Sequence, residues 1–359
     1  MMKKSKWLAT LMLIFFFVMN IGRVDASMLK YSVEPVIPEN QKDKKNTYFD
    51  LNMKPNDEQT IKIHMRNDTN EDVTVIPTIK TATTNINGIV EYGESNQKPD
   101  NTVPFKIEDI VSAKTKEVTI PKNGATDLEL EIKMPKEEFD GILAGGITLQ
   151  EKEKEGETKE TKKEGLSIEN RYAYTVAIVL HENDKPVEPK LALDKVEPSQ
   201  VNARNVINAT IQNPNPRYMN QLAVETKITR KGETEVLYSS EKKDMQMAPN
   251  TSFAYPTSLD GKELKAGKYT LDMTAKSSGE TWHFKKDFEI KGEVAKKFNE
   301  KDVSIKKDYT WVYIVVGFIL ILIAVLFIIL FFRKKMKEKD KEAKLLQEKM
   351  ERIQNGEKE

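Results

Sequence analysis

"KEEFDGILAGGITLQ" (136–150) sets three glycines, Gly141, Gly145 and Gly146, between an acidic turn and an apolar run. Glycines spaced this closely serve either a phosphate or the backbone itself. A P-loop needs Gly-x-x-x-x-Gly-Lys-Ser/Thr, and here Ile147-Thr148 follows Gly145-Gly146. A dinucleotide fold needs a helix whose free N–H groups receive the phosphate, whereas "ITLQ" reads as strand and then charged loop. Glycine inside a strand pattern marks a bulge or a close approach of another backbone. The stretch is therefore read as one strand of an all-β protein.

The surrounding sequence carries the same period. In "TIKIHMRN", Ile61, Ile63 and Met65 alternate with Lys62, His64 and Arg66; Leu128, Leu130, Ile132 and Met134 form a second such set, and Tyr269, Leu271, Met273 and Ala275 a third. Side chains point to opposite faces along a strand, so each segment has one buried and one wet side. Tyr172 to Leu180 is apolar almost throughout, as a strand covered on both faces would be. Turn signals recur at "RNDTNED" (66–72), "NINGIV" (85–90), "PKNG" (121–124), "NPNP" (213–216), "KAGK" (265–268) and "SSGE" (277–280). Short strands punctuated this way point to antiparallel sandwiches. Proline and charge in "HENDKPVEPKL" (181–191) divide residues 28–182 from 183–292. The mixed-charge run "EKEKEGETKETKKE" (151–164) reads as a solvated hairpin tip.

The two ends place the chain at a membrane. "MMKKSKW", an apolar run and Val24-x-Ala26 have the layout of a secretory signal peptide over 1–26, cleaved after Ala26, with an uncleaved N-terminal anchor as the competing reading. "VYIVVGFILILIAVLFIILFF" (312–332) carries no charge and is long enough to cross a bilayer as a helix. Tyr309, Trp311 and Tyr313 stand at its entrance and "RKKMKEKDK" follows it, which puts the tail (333–359) in the cytoplasm and residues 27–310 outside. The expected order is signal peptide, two sandwiches, a polar stalk (293–310), a transmembrane helix (311–332) and a basic tail. The chain has no cysteine, unlike a disulfide-stapled animal ectodomain, which points to a bacterium with one membrane and a thick wall. The sequons at Asn67, Asn208 and Asn250 are then chance matches.

Nothing spells chemistry. The 359 residues are 31% charged with a formal net charge of +1, which argues against a nucleic-acid binder. His64, His181 and His283 lie far apart, with no metal-ligand spacing. There is no thiol, no Gly-x-Ser-x-Gly elbow and no Ser-x-x-Lys pattern. No catalytic residue, metal or cofactor is expected. A wall-remodelling enzyme would need a convergent acid pair in a cleft.

Several segments, in order, resemble a known family. "YSVEPVIPENQ" (31–41), the run from Tyr48 to Tyr92, "MPKEEFDGILAGGITLQ" (134–150) and "NRYAYTVAIVL" (170–180) are similar to the first domain of the WxL-interacting proteins of low-GC Gram-positive bacteria. "EPKLALDKVEP" (188–198), "ATIQNPNPRYM" (209–219) and "LKAGKYTLDMTA" (264–275), ahead of a membrane span, resemble the second. The resemblance implies two immunoglobulin-like sandwiches on an anchor. It also implies that the first binds peptidoglycan and the second contacts host matrix proteins, with WxL-domain surface proteins as partners. An alternative is a chaperone-like assembly factor that completes a client's sheet through a sandwich edge.

Three segments are candidates for ligand contact. In "TATTNINGIVEYGE" (81–94), Thr83, Thr84, Asn85 and Asn87 offer hydroxyls and amides, with Tyr92 to stack on a sugar. Asn87-Gly88 is equally a type I′ hairpin signal. Asp140-Gly141 and Gly145-Gly146 would let a ligand approach the backbone. Arg217, Tyr218 and Met219, after "NPNP", are candidate partner contacts, since Tyr and Arg favour binding hot spots. A loop tyrosine packed on its own sandwich is the competing reading.

Overall fold

A computed structural model describes residues 30–152, 172–306, 309–354 and 356. The expected signal peptide and most of the charged 151–164 tip lie outside the described residues. The chain forms a β-rich unit up to Asp302 and a second, helical unit from Val303.

The β-rich unit opens with β1 (Tyr31–Val36), β2 (Phe49–Asn52), β3 (Glu58–Asn67), β4 (Val73–Thr81), and the two-residue strands β5 (Thr83–Thr84) and β6 (Val90–Glu91). A single turn of helix, α1 (Ile107–Ile110), precedes β7 (Val111–Ala113), β8 (Val118–Ile120), β9 (Gly124–Lys133), β10 (Ile142–Glu151) and β11 (Ala173–His181). One sheet runs β1-β3-β9-β7 and the other β2-β11-β10-β4-β8. All pairs are antiparallel except β11 with β2, which run parallel, a departure from the wholly antiparallel expectation. β2 reaches that edge after a loop from β1 rather than by a hairpin, so its direction is not dictated by a tight turn.

The alternation predicts the core correctly. Ile61, Ile63 and Met65 of β3 and Leu128, Leu130 and Ile132 of β9 are buried against Leu143, Ile147 and Leu149 of β10 and Ile178 and Leu180 of β11. Burial of each such side chain is worth about 1.5–3 kcal/mol. The Tyr31 hydroxyl crosses between the sheets and donates to the Leu149 carbonyl at 2.7 Å.

The second half continues with β12 (Ala192–Val201), β13 (Arg204–Asn213), β14 (Met219–Arg230), β15 (Val236–Met247), β16 (Thr251–Ser258), β17 (Gly267–Ser277) and β18 (Glu280–Ile290). A three-stranded sheet, β12-β13-β16, faces a four-stranded one, β15-β14-β17-β18. Ile207, Ala209, Ile211, Phe253 and Tyr255 pack on Leu222, Val224, Leu271, Met273 and Ala275. Two hairpins close on two-residue turns with both central φ angles positive, Asn202-Ala203 and Ser278-Gly279. That is the type I′ geometry whose twist matches the strands.

The segment expected as a stalk begins with helix α2 (Gly292–Lys301). Ala295 is buried and Phe298 packs on the second core. Asn299 donates to the Leu264 carbonyl at 3.0 Å and accepts from the Leu264 N–H at 2.9 Å. Only Val294, Ala295 and Phe298 are apolar in this helix, so its buried face is too narrow to stand out by composition. In the second unit, α3 (Thr310–Gln354) is one continuous helix, and its first part is long and apolar enough to cross a membrane.

Candidate functional site

The glycine stretch works through what presses on it. β10 pairs with β4 and β11 in unbroken register, so Gly145 and Gly146 face opposite sides of one sheet and form no bulge. A side chain at Gly145 would meet the Lys80 carbonyl and, at 2.8 Å, the Cβ of Ile107 in the core. A side chain at Gly146 would run into the backbone carbonyl of Tyr92. One glycine admits α1 to the core; the other lets the chain at Tyr92 lie flat on the outer face. Gly141 has φ +79°, and the Pro216 carbonyl occupies the place of its missing Cβ.

That outer face is where the two sandwiches meet. Ala144 of β10, Ala82 and Ala248 form a buried cluster, flanked by Val90, Tyr92 and Tyr218. Small residues here allow backbones to touch: the Ala82 N–H donates to the Ala144 carbonyl at 2.9 Å, and the Ile142 N–H to the Pro216 carbonyl at 2.9 Å. The β5–β6 hairpin reaches across. The hydroxyls of Thr84 and Thr251 lie 2.8 Å apart, and the Ala248 N–H donates to the Thr84 hydroxyl at 3.0 Å. The Gln246 N–H donates to the Gly88 carbonyl at 2.8 Å. The Asn250 side chain donates to the Thr102 carbonyl at 3.0 Å, while Gln212 donates to Asp100 at 2.8 Å.

The hairpin at Asn87-Gly88 is present but its turn is not type I′. Gly88 has φ +67°, whereas Asn87 stays out of the left-handed region. The Asn85 side chain instead organises a longer loop by accepting from the N–H groups of Asn87 and Ile89. Gly88 is required twice over, by its φ and by the Met245 side chain, which lies 2.6 Å from where a Cβ would stand.

A cleft of about 340 Å³ opens beside this junction, lined by Lys42, His181, Asp184, Lys185, Arg217 and Tyr218 among others. Its lysines and carboxylates are spent on one another. Lys42 pairs with Asp184 at 2.7 Å, and Lys185 with Asp140 at 3.0 Å and Glu138 at 3.2 Å. Hydrogen bonds from Lys185 and Asn183 hold the Asp140 carboxyl below the usual carboxylate range. Arg217 donates to the Val187 carbonyl at 2.5 Å. His181 Nε2 lies 2.6 Å from Asp50. Burial pulls the His181 pKa below its ordinary value and outweighs the opposing pull of Asp50. Burial also pushes the Tyr218 phenol well up, with the Tyr92 hydroxyl 3.0 Å away. Among the described residues no three His, Asp or Glu side chains gather where a metal ion would be held.

The structure thus brings most of the sequence-predicted candidates together, at the contact between the sandwiches. Thr84, Gly88, Gly145 and Gly146 are buried and Tyr92 and Tyr218 touch; Met219 lies wholly in the second core, while Asn87 and Asp140 are exposed. Thr83 is buried with a hydroxyl that has no hydrogen-bond partner. Sequence reasoning missed the other half of the junction, Asp100, Thr102, Gln212 and the Ala248–Thr251 turn. The local signal in the sequence is the turn-forming pair Pro249-Asn250 within "APNTS", and Asn250 is left-handed in the structure.

Residues 31–151 match a domain family described as "WxL Interacting Protein, peptidoglycan binding domain", and residues 163–300 one described as "WxL Interacting Protein, host binding domain". Both descriptions are of binding domains. The second match starts ahead of β11, although that strand lies between β2 and β10 in the first sandwich. No curated relative matches the chain. Similar solved structures include the YadV chaperone, at 10% identity, covering 72% of this chain and 100% of that one with a TM-score of 0.27. The CsuC–CsuE chaperone–adhesin complex of Acinetobacter baumannii gives 8% identity, 72% and 98% coverage and a TM-score of 0.32. The SafA–SafB pilin–chaperone complex of Salmonella enterica gives 9%, 72%, 97% and 0.28. Similarity at this level carries no argument about partners.

Proposed function

The chain belongs to the WxL-interacting protein family, and from that premise we propose that it is a non-enzymatic surface adaptor of a Gram-positive bacterium. Its first sandwich holds peptidoglycan. Its second binds a WxL-domain protein or a host matrix protein. Helix α3 anchors both in the membrane, with the basic residues after Phe332 on the cytoplasmic side. The observation that carries this reading is the order of the two matched domains, wall-binding then host-binding, ahead of an apolar helix.

The shared junction suits an adaptor, because a load on the second domain passes to the first through packed backbone instead of a slack linker. It also governs the test. A cut between the sandwiches would expose Ala82 and Ala248 and strand the Thr84–Thr251 pair, so the intact ectodomain (27–310) is the right object. Incubated with purified sacculi and sedimented, it is expected to pellet and to be released by soluble wall fragments. An ectodomain that stays in the supernatant at every sacculus concentration would remove the wall-binding claim.

A further inference from the structure

A second cavity, of about 550 Å³, lies on the first sandwich away from the cleft described above. It is walled by the end of β4, Thr83 of β5, the polar loop "GESNQKP" (93–99) and Glu108 of α1. Its volume is in the range of small-ligand sites.

Its chemistry is specific in three respects. Both signs of charge face it: Lys80 and Lys98 on one hand, Glu94 and Glu108 on the other. Among the described residues, Lys80, Lys98 and Glu94 make no ion pair, in contrast with the self-neutralised cleft at the junction. Glu108 is a fixed anion: its Oε2 accepts from the Thr81 N–H at 2.7 Å and the Thr81 hydroxyl at 2.6 Å. Burial pushes its carboxyl up, but these hydrogen bonds win and hold it below its usual value. Lastly, Thr83 is buried at this wall with an unpartnered hydroxyl. A buried hydroxyl without a partner is a standing cost that a ligand's polar group relieves.

No aromatic ring lines this cavity. Tyr92, the ring nearest in sequence, is turned to Tyr218 across the junction. A saccharide offers an apolar ring face that an aromatic side chain covers, and nothing here supplies one. Separate cationic and anionic groups, with Ser95, Asn96 and Gln97 between them, instead complement a short chain bearing carboxylates, an ammonium and amides. We propose that this cavity binds the peptide portion of the cell wall rather than its glycan, with Lys80 and Lys98 receiving carboxylates, Glu94 and Glu108 an ammonium, and Thr83 an amide. This rests on the reading of the first sandwich as the wall-binding domain.

The test uses the full chain in detergent and three probes: intact sacculi, a synthetic L-Ala-γ-D-Glu-L-Lys-D-Ala tetrapeptide, and glycan strands stripped of peptide by an amidase. The tetrapeptide is expected to bind saturably and to displace the protein from sacculi, while bare glycan does neither. Lys98→Ala and Thr83→Val are expected to weaken tetrapeptide binding by about tenfold or more, with an unchanged unfolding midpoint, since neither side chain holds another residue. Glu108 is left intact because it also holds Thr81. Displacement by bare glycan and not by tetrapeptide would overturn the peptide assignment and leave wall binding standing. Tetrapeptide binding unaffected by either substitution would place the site elsewhere and overturn it too. Failure to bind sacculi at all would remove both readings.

Discussion

The hydroxyl of Tyr92 lies 3.0 Å from the hydroxyl of Tyr218, 126 residues further along the chain and in the other sandwich. This pair and the alanine cluster beneath it make the two β domains one body. Removing either hydroxyl, by Tyr92→Phe or Tyr218→Phe, is expected to cost about 1 kcal/mol. The double variant should cost less than the sum of the singles, because the two groups share one bond. Denaturant unfolding of the four proteins checks this; additive losses would mean that the hydroxyls do not interact in solution.

Gly146 should tolerate nothing larger. A Cβ there runs into the Tyr92 carbonyl, which is backbone and has no rotamer to yield, so Gly146→Ala is expected to destabilise by roughly 1–3 kcal/mol. Limited proteolysis of the 81–94 segment reads the displacement directly. Cleavage there as slow as in the parent protein would show that the close approach is not maintained.

Stability should fall on acidification through one identified histidine. Burial holds the folded His181 below its ordinary pKa of 6.5. Above that pH it is neutral in both states and contributes no slope. Below it the unfolded chain takes up the proton more readily, so folding loses stability as pH falls toward the folded-state pKa. Melting curves between about pH 5 and about pH 8 should show this loss in the parent and a shallower one in His181→Gln. Equal slopes would assign the effect to other groups.

Helix α2 should behave as part of the second sandwich. Asn299 bonds both backbone groups of Leu264 and the side chain of Asn205, so Asn299→Ala is expected to cost roughly 1–3 kcal/mol. Ending the ectodomain at 291 should lower its unfolding midpoint relative to ending it at 306. An unchanged midpoint would return this segment to the status of a spacer.

Deletion of residues 310–332 should move the protein from the membrane pellet to the soluble fraction, because among the described residues the apolar part of α3 is the helix long enough to span a bilayer. Retention in the pellet after a salt and carbonate wash would reveal another attachment.

Much of this was legible in the sequence, because a strand with one buried face writes its burial into every second residue. Ile61, Ile63 and Met65, Leu128 to Met134, and Tyr269 to Ala275 are buried as their alternation predicts. The helix at 292 was less legible, since three apolar residues in a charged segment mark no period. The parallel β2–β11 pair left no local trace at all.

The candidate contacts divide in the same way. Sequence alone determined an all-β chain followed by an apolar helix long enough to span a membrane, and that the glycines of 136–150 belong to a strand's backbone geometry and not to a phosphate loop. Both follow from period, length and the lack of a following helix, which are local properties. What approaches those glycines was decided only by the tertiary structure. Ala144 and Gly146 look the same in sequence whether solvent, a ligand or a neighbouring domain lies over them, and Thr84 meets Thr251 across 167 residues. Alternation reports which face of a strand is buried against its own sheet's partner, but a domain junction on the outer face is built from small and polar residues that carry no period.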